Sequence, residues 1–183
     1  GTGPRFKVTV LGSVMAGKTM FCQRVILDPL TSSVHSNNNN AGGALGADLS
    51  SATFSLGGTE ANRFTLVFCD TAGPPRCEPL HAPYVSGARV LLFLLPLDEP
   101  RQYDVREWLE RLHARFCSGD VDTVVVGTRR DLKKDNRLSY DVMSFCVRNQ
   151  MPYHECDLRD SEQLFRVLYA IMHYGLLQWK HIV

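Results

Sequence analysis

The chain has 183 residues, 44% of them apolar and 21% charged, which suits one globular domain of ~100–200 residues and is too apolar for a disordered chain. Its formal charge of +1 excludes a global attraction to nucleic acid or to an acidic membrane surface. Six cysteines, none at C-x-x-C spacing and several inside apolar runs, read as reduced buried thiols and exclude a disulfide or zinc framework.

In chain order, Gly1-Thr2-Gly3-Pro4 reads as a cloning remnant, and residues 5–183 as a single domain. Phe6 to Leu11 has the length and content of a first strand, and the chain then turns at Gly12 into a helix running to about Leu27, closed by Asp28-Pro29. Thr31 to Ser50, with Asn37-Asn38-Asn39-Asn40 and Gly42-Gly43, has too little apolar content to pack and reads as a mobile loop. Ser51 to Leu56 and Arg63 to Cys69 flank a glycine-bearing connection and predict an antiparallel hairpin. Val90 to Leu95 and Val121 to Val126 are apolar throughout, as strands covered on both faces must be, and Pro152 to Cys156 is a sixth strand candidate. Tyr103 to Phe116, Tyr140 to Arg148 and Ser161 to Trp179 each gather apolar residues on one helical face. The alternation predicts strand-helix-strand units and a mainly parallel sheet. The longest apolar run is far too short for a bilayer, which needs ~20 residues, and no secretory leader is read.

Gly12-Ser13-Val14-Met15-Ala16-Gly17-Lys18-Thr19 fits G-x-x-x-x-G-K-[ST], and it follows a predicted strand and opens a helix, as phosphate chemistry requires. In such a loop the backbone N–H groups of Ser13, Val14, Met15, Ala16 and Gly17 converge on phosphate oxygens while the helix dipole adds positive potential. Lys18 supplies a cation to the terminal phosphates and Thr19 offers a hydroxyl to Mg2+. Downstream, Asp70-Thr71-Ala72-Gly73 ends a strand, so that Asp70 can hold Mg2+ through water and Gly73 can present an unobstructed amide to the last phosphate.

With these residues the chain resembles the Ras superfamily, and most of all its Rab-type members, from Phe6 onward; Ala82-Pro83-Tyr84-Val85-Ser86-Gly87-Ala88 is similar to the Rab pattern of a tyrosine followed by Gly-Ala before the next strand. The resemblance implies a three-layer α/β P-loop fold, a six-stranded mostly parallel sheet with one antiparallel strand and helices on both faces. GTP or GDP with Mg2+ would lie across the strands' carboxyl ends. It also implies a base-reading motif, Asn-Lys-x-Asp in the family, which falls here at Thr128-Arg129-Arg130-Asp131. Thr128 is familiar from Rho-type members, Arg129 keeps the charge and the long stem that lies along the base, and the Asp131 carboxylate can accept guanine N1–H and N2–H, a donor pair adenine lacks. The family's Ser-Ala-Lys element falls at Asp157-Leu158-Arg159, where only position matches and a backbone amide would meet the guanine carbonyl. Leu30 stands where the family has an aromatic covering the base.

Three departures bear on hydrolysis. Pro74 occupies the place of the glutamine that orients the attacking water, Val14 stands where many members have glycine, and Ala44 aligns with the threonine that senses the third phosphate, for which Thr31 or Thr53 substitute only if the alignment slips. The expectation is slow or absent intrinsic GTP hydrolysis. The chain ends at His181-Ile182-Val183 without a prenylation box, so no direct membrane anchor is expected. A missing anchor with altered switch positions is similar to the Rab-like GTPases of intraflagellar transport, which implies a cytoplasmic protein, in the narrower reading a ciliary or flagellar one. Its partners would be a guanine nucleotide and a protein effector or transport-complex subunit, not nucleic acid. Two readings stand beside each other, a switch cycling between GTP and GDP and a nucleotide-stabilised structural adaptor; a kinase on the same loop is weaker, since no phosphoacceptor site is visible. The histidines show no paired ligand spacing, and Arg129, Arg130, Lys133, Lys134 and Arg137 read as a solvated basic face.

Overall fold

The computed structural model describes residues 5–12, 16–27, 47–55, 63–71, 87–98, 107, 110, 111, 114 and 121–182. β1 (Arg5–Gly12) leads to α1 (Lys18–Leu27), then come β2 (Ala47–Ser55), β3 (Arg63–Thr71), β4 (Ala88–Pro96) and β5 (Asp122–Thr128). A 3-10 turn (Arg130–Leu132), α2 (Arg137–Arg148), β6 (Tyr153–Cys156) and α3 (Ser161–Ile182) complete the order. The six strands form one sheet in the order β2-β3-β1-β4-β5-β6, antiparallel only between β2 and β3.

Side-chain alternation along the central strands explains the layers. On β4, Val90, Leu92 and Leu94 enter one core while Leu91, Phe93 and Leu95 enter the other; on β5, Val124 and Val126 oppose Val125 in the same way. The first core is closed by Phe21 and Val25 of α1 and by Leu164, Val167, Leu168 and Ile171 of α3, with Phe21 edge-on to Phe68 at 5.9 Å. The second is closed by Val142, Phe145 and Cys146 of α2. Burial on both faces is what the uninterrupted apolar runs called for.

Several boundaries differ from the sequence reading. β2 begins at Ala47, paired with Thr71, so 47–50, expected to be loop, are strand. Ladder hydrogen bonds along β3 need no apolar side chain, and tertiary pairing overrides composition there. β3 runs through Asp70 to Thr71, and β5 runs past Val126 to Thr128. α2 starts three residues ahead of Tyr140, where Asp135 Oδ1 accepts the Arg137 N–H at 3.0 Å. α1 starts only at Lys18, and α3 extends beyond Trp179 to Ile182. Of the expected helix 103–116, the described residues Glu107, Glu110, Arg111 and Ala114 are helical, with a Glu107–Arg111 ion pair one turn apart. The remainder of that helix, 31–46 of the expected loop, 56–62 of the hairpin and the Rab-like run before Gly87 lie outside the described residues.

Cys22, Cys69, Cys146 and Cys156 are buried thiols outside any disulfide, as their apolar settings suggested, while Cys77 and Cys117 lie outside the described residues. Burial pushes the Cys146 and Cys156 thiols up to about 12. Among the described residues no helix is long and apolar enough to cross a membrane.

Candidate nucleotide-binding site

The phosphate end begins where β1 must leave the sheet. Gly12 pairs with Leu94 of β4 and has φ of 142°, and a Cβ there would stand 2.2 Å from the Leu94 carbonyl oxygen, so only glycine permits the turn. Gly17, at φ of 90°, makes the second turn, and its carbonyl accepts the Phe21 N–H at 2.8 Å to start the α1 ladder. Lys18 is 4% exposed, and its Nζ reaches back to donate to the Gly12 carbonyl at 2.8 Å. Ala16 is buried and Thr19 is exposed at the amino end of α1. The Cα of Asp70 pairs with Val10 on β1 and Asp48 on β2, which sets it at the same sheet edge, two residues short of Gly12. Ser13, Val14, Met15, Leu30, Ala44, Gly73 and Pro74 lie outside the described residues.

The other end is built from the turn after β5 and the turn after β6. Thr128 is fully buried, its hydroxyl 2.8 Å from the Ala16 carbonyl and 3.2 Å from that of Leu95, so it fastens the end of β5 to the phosphate loop. Leu97, which reaches over β5 because Gly127 has no side chain, donates its N–H to the Thr128 carbonyl at 2.9 Å. Arg129 adopts a left-handed conformation, φ 57°, and pairs with Asp98 at 3.0 Å. Among the described residues, Asp98 Oδ1 and Arg129 Nε are buried and have no hydrogen-bond partner.

Asp131 sits in the exposed 3-10 turn, and its Oδ2 accepts Arg159 Nη2 at 2.7 Å. Arg159 also donates Nε to Asp157 Oδ1 and Nη2 to Asp157 Oδ2, both at 3.0 Å, so one guanidinium joins the two carboxylates. Hydrogen bonds from Arg159 hold the Asp157 carboxyl below its ordinary range. Of the three amides in the Asp157-Leu158-Arg159 element, that of Asp157 donates to Gln163 Oε1 at 2.9 Å and that of Arg159 to Asp157 Oδ1 at 3.0 Å. The Leu158 side chain is buried against Gly17, where a Cβ would come within 2.8 Å of its Cδ1. The phosphate loop and this turn are therefore packed on each other.

Residues to which the sequence reading gave no part in the site complete the frame. Arg24, in the last turn of α1, donates to the Leu158 carbonyl at 3.2 Å and the Arg159 carbonyl at 2.9 Å. Asp160 caps α3 through the Glu162 and Gln163 amides, and the Asp160-Ser161-Glu162-Gln163 spacing is a capping signature that the sequence does display. Lys133 pairs with Glu155 at 2.7 Å, and Tyr153 donates its hydroxyl to Glu155 at 2.9 Å. Burial alone would raise the Glu155 carboxyl; hydrogen bonds from Lys133, Ser139 and Tyr153 bring it below its ordinary value. The basic cluster is thus not a solvated face throughout: Lys133 and Arg129 are half-buried and ion-paired, while Arg130, Lys134 and Arg137 are exposed.

Glycines at both ends of a strand-to-helix corner, a buried ammonium returned to the Gly12 carbonyl, and the turns after β5 and β6 set against Ala16 and Gly17 have the form of a P-loop nucleotide-binding domain. The Ras family model matches residues 7–175, and the chain belongs to that family; it is a Rab-like small GTPase of the Ras superfamily, a family of GTP-binding domains. It is similar to "GTP-binding protein YPT1" of Saccharomyces cerevisiae, 27% identical over 158 residues covering 85% of this chain and 71% of that protein. It is also similar to "Ras-related protein Rab-8A" of Pongo abelii, 26% identical over 135 residues, 73% of this chain and 60% of that protein. "Ras-related protein RIC1" of Oryza sativa is 25% identical over 137 residues, 74% of this chain and 62% of that protein. The chain therefore spans less than two thirds of the second and third of these relatives.

Proposed function

We propose that the chain binds GTP and GDP together with Mg2+ and acts, with slow hydrolysis, as a guanine-nucleotide-dependent subunit of intracellular transport. The observation that carries this reading is the coupling of two recognition elements: Lys18 Nζ at the mouth of the phosphate loop, 2.8 Å from Gly12 O, and Thr128 fastening the Asp131 turn to the same loop through Ala16 O at 2.8 Å.

The donor set fits a nucleoside polyphosphate. Lys18 and the amides opening α1 would bind and orient the phosphates, Asp131 would accept the two guanine donors, and the Leu158 amide, between two amides that are already engaged, would meet the guanine carbonyl. The Thr19 hydroxyl and, through water, Asp70 would hold Mg2+, which when bound neutralises charge on the terminal phosphate oxygens. Pro74 has no side-chain group to orient water, which supports slow turnover. Identifying the nucleotide extracted from purified protein tests the base assignment: GDP or GTP is expected, and recovery of ATP would overturn it. Single-turnover GTP hydrolysis is expected to fall orders of magnitude below that of a glutamine-bearing relative; equal rates would overturn slow turnover.

Ala44 and Pro74 favour a second reading, in which nucleotide supports the fold and a partner in a cytoplasmic or ciliary transport assembly reads a constant surface. A switch requires different partner affinities for the GTP and GDP forms, so equal affinities would leave only the adaptor.

A further inference from the structure

Arg159 stands out in the site because it holds the carboxylate that the base would need. Its grip on Asp157 is a closed fork, Nε to Oδ1 and Nη2 to Oδ2 at 3.0 Å each, reinforced by its own N–H on Oδ1 at 3.0 Å. Its contact with Asp131 is one further hydrogen bond, 2.7 Å to Oδ2, from a nitrogen already shared with Asp157. The Watson–Crick edge of guanine presents N1–H and N2–H as two neighbouring donors, the same arrangement a guanidinium presents to a carboxylate. Both donors would need the Asp131 oxygens, and at one of these Arg159 already uses part of the acceptor capacity and neutralises part of the charge.

We propose that Arg159 is an internal competitor for the base: its hydrogen bond to Asp131 Oδ2 takes acceptor capacity and charge that guanine's two donors would use, and drawing back onto Asp157 alone frees them. The proposal rests on the reading of Asp131 as the base-selecting carboxylate. Asp157 is then a parking partner, and the aspartate standing where the family has serine acquires a use. Withdrawal costs one of four hydrogen bonds and keeps the fork. The Arg159 side chain is 66% exposed, so the contact is screened by water and salt, and competition is worth about two- to five-fold in affinity.

The experiment is GDP binding to the full chain by a fluorescent nucleotide analogue, at about 0.05 M and about 0.5 M salt, with folding checked by thermal melting. Arg159→Ala is expected to bind GDP about two- to five-fold more tightly than the unaltered protein at low salt, and the gap is expected to close at high salt as the exposed pair is screened. Asp157→Ala, which abolishes the parking fork, is expected to bind more weakly, and the double variant to behave as Arg159→Ala. Unchanged or weaker binding in Arg159→Ala, with Asp131→Asn losing affinity, would overturn the competitor role alone. Unchanged binding in Asp131→Asn would overturn the base assignment and the competitor role with it. If Arg159→Ala fails to fold, the direction of the Asp157→Ala change decides, and tighter binding there would overturn the proposal.

Discussion

The phosphate end of the proposed nucleotide site is made of backbone shape and burial, whereas its base end is made of paired side chains near the surface. Gly12 and Gly17 turn the chain through conformations that side chains resist, and Lys18 is almost fully covered. Asp131, Asp157 and Arg159 hold one another by charge at the surface, and of the described base-end residues Thr128 and Leu158 are the buried ones. The difference teaches how each end responds to change: steric and desolvation effects are large and insensitive to salt, while exposed ion pairs are weak, tunable and screened.

That contrast is broken or sharpened by mutation. The largest effect is expected from Gly12→Ala, whose Cβ would meet the Leu94 carbonyl oxygen at 2.2 Å with no flexible atom to yield; a loss of about 4 kcal/mol or more in denaturant unfolding is expected. Gly17→Ala meets only the tip of the Leu158 side chain, so about 1–2 kcal/mol is expected there, and an equal loss at both glycines would count against the steric account. Lys18→Ala should leave the fold intact and weaken nucleotide binding on the order of 100-fold or more by titration. Thr128→Val removes the buried hydroxyl that faces the Ala16 and Leu95 carbonyls; a destabilisation of about 1–3 kcal/mol is expected at any ionic strength.

Acid tests the polar cluster beneath the base end. The Glu155 carboxyl lies below its ordinary value of 4.5 in the folded chain, so its contribution is present above that value and is lost as pH falls through the folded pKa. Glu155→Gln is expected to lower stability by about 1–2 kcal/mol at neutral pH and to match the unaltered protein in acid. The smallest effect concerns thiol chemistry: with pKa values raised to about 12, Cys146 and Cys156 should resist alkylation at neutral pH until the protein unfolds, as peptide mapping by mass spectrometry would read.

Legibility in the sequence followed the same division. The corner between β1 and α1 was readable because the eight residues of its motif are contiguous and the strand before it and helix after it have apolar patterns. The central strands were readable because burial on both faces leaves unbroken apolar runs. β2 was read four residues short because its start is fixed by pairing with Thr71 and Asp70, which composition does not encode. The pairs Asp98–Arg129, Lys133–Glu155 and Asp131–Arg159 join turns distant in sequence, and no local periodicity marks either member. Arg159 was named only as part of a family element, and its bond to Asp131 became visible only when the turns after β5 and β6 were brought together.

Arg24 ties these regions into one mechanical part. α1 carries Lys18 in its first turn and, in its last, the guanidinium that grips the Leu158 and Arg159 carbonyls. Were this single rod displaced from the sheet, Lys18 and the carbonyls of the Leu158–Arg159 turn would be carried together, so in the proposed function the anion clasp and the purine shelf would open in one stroke.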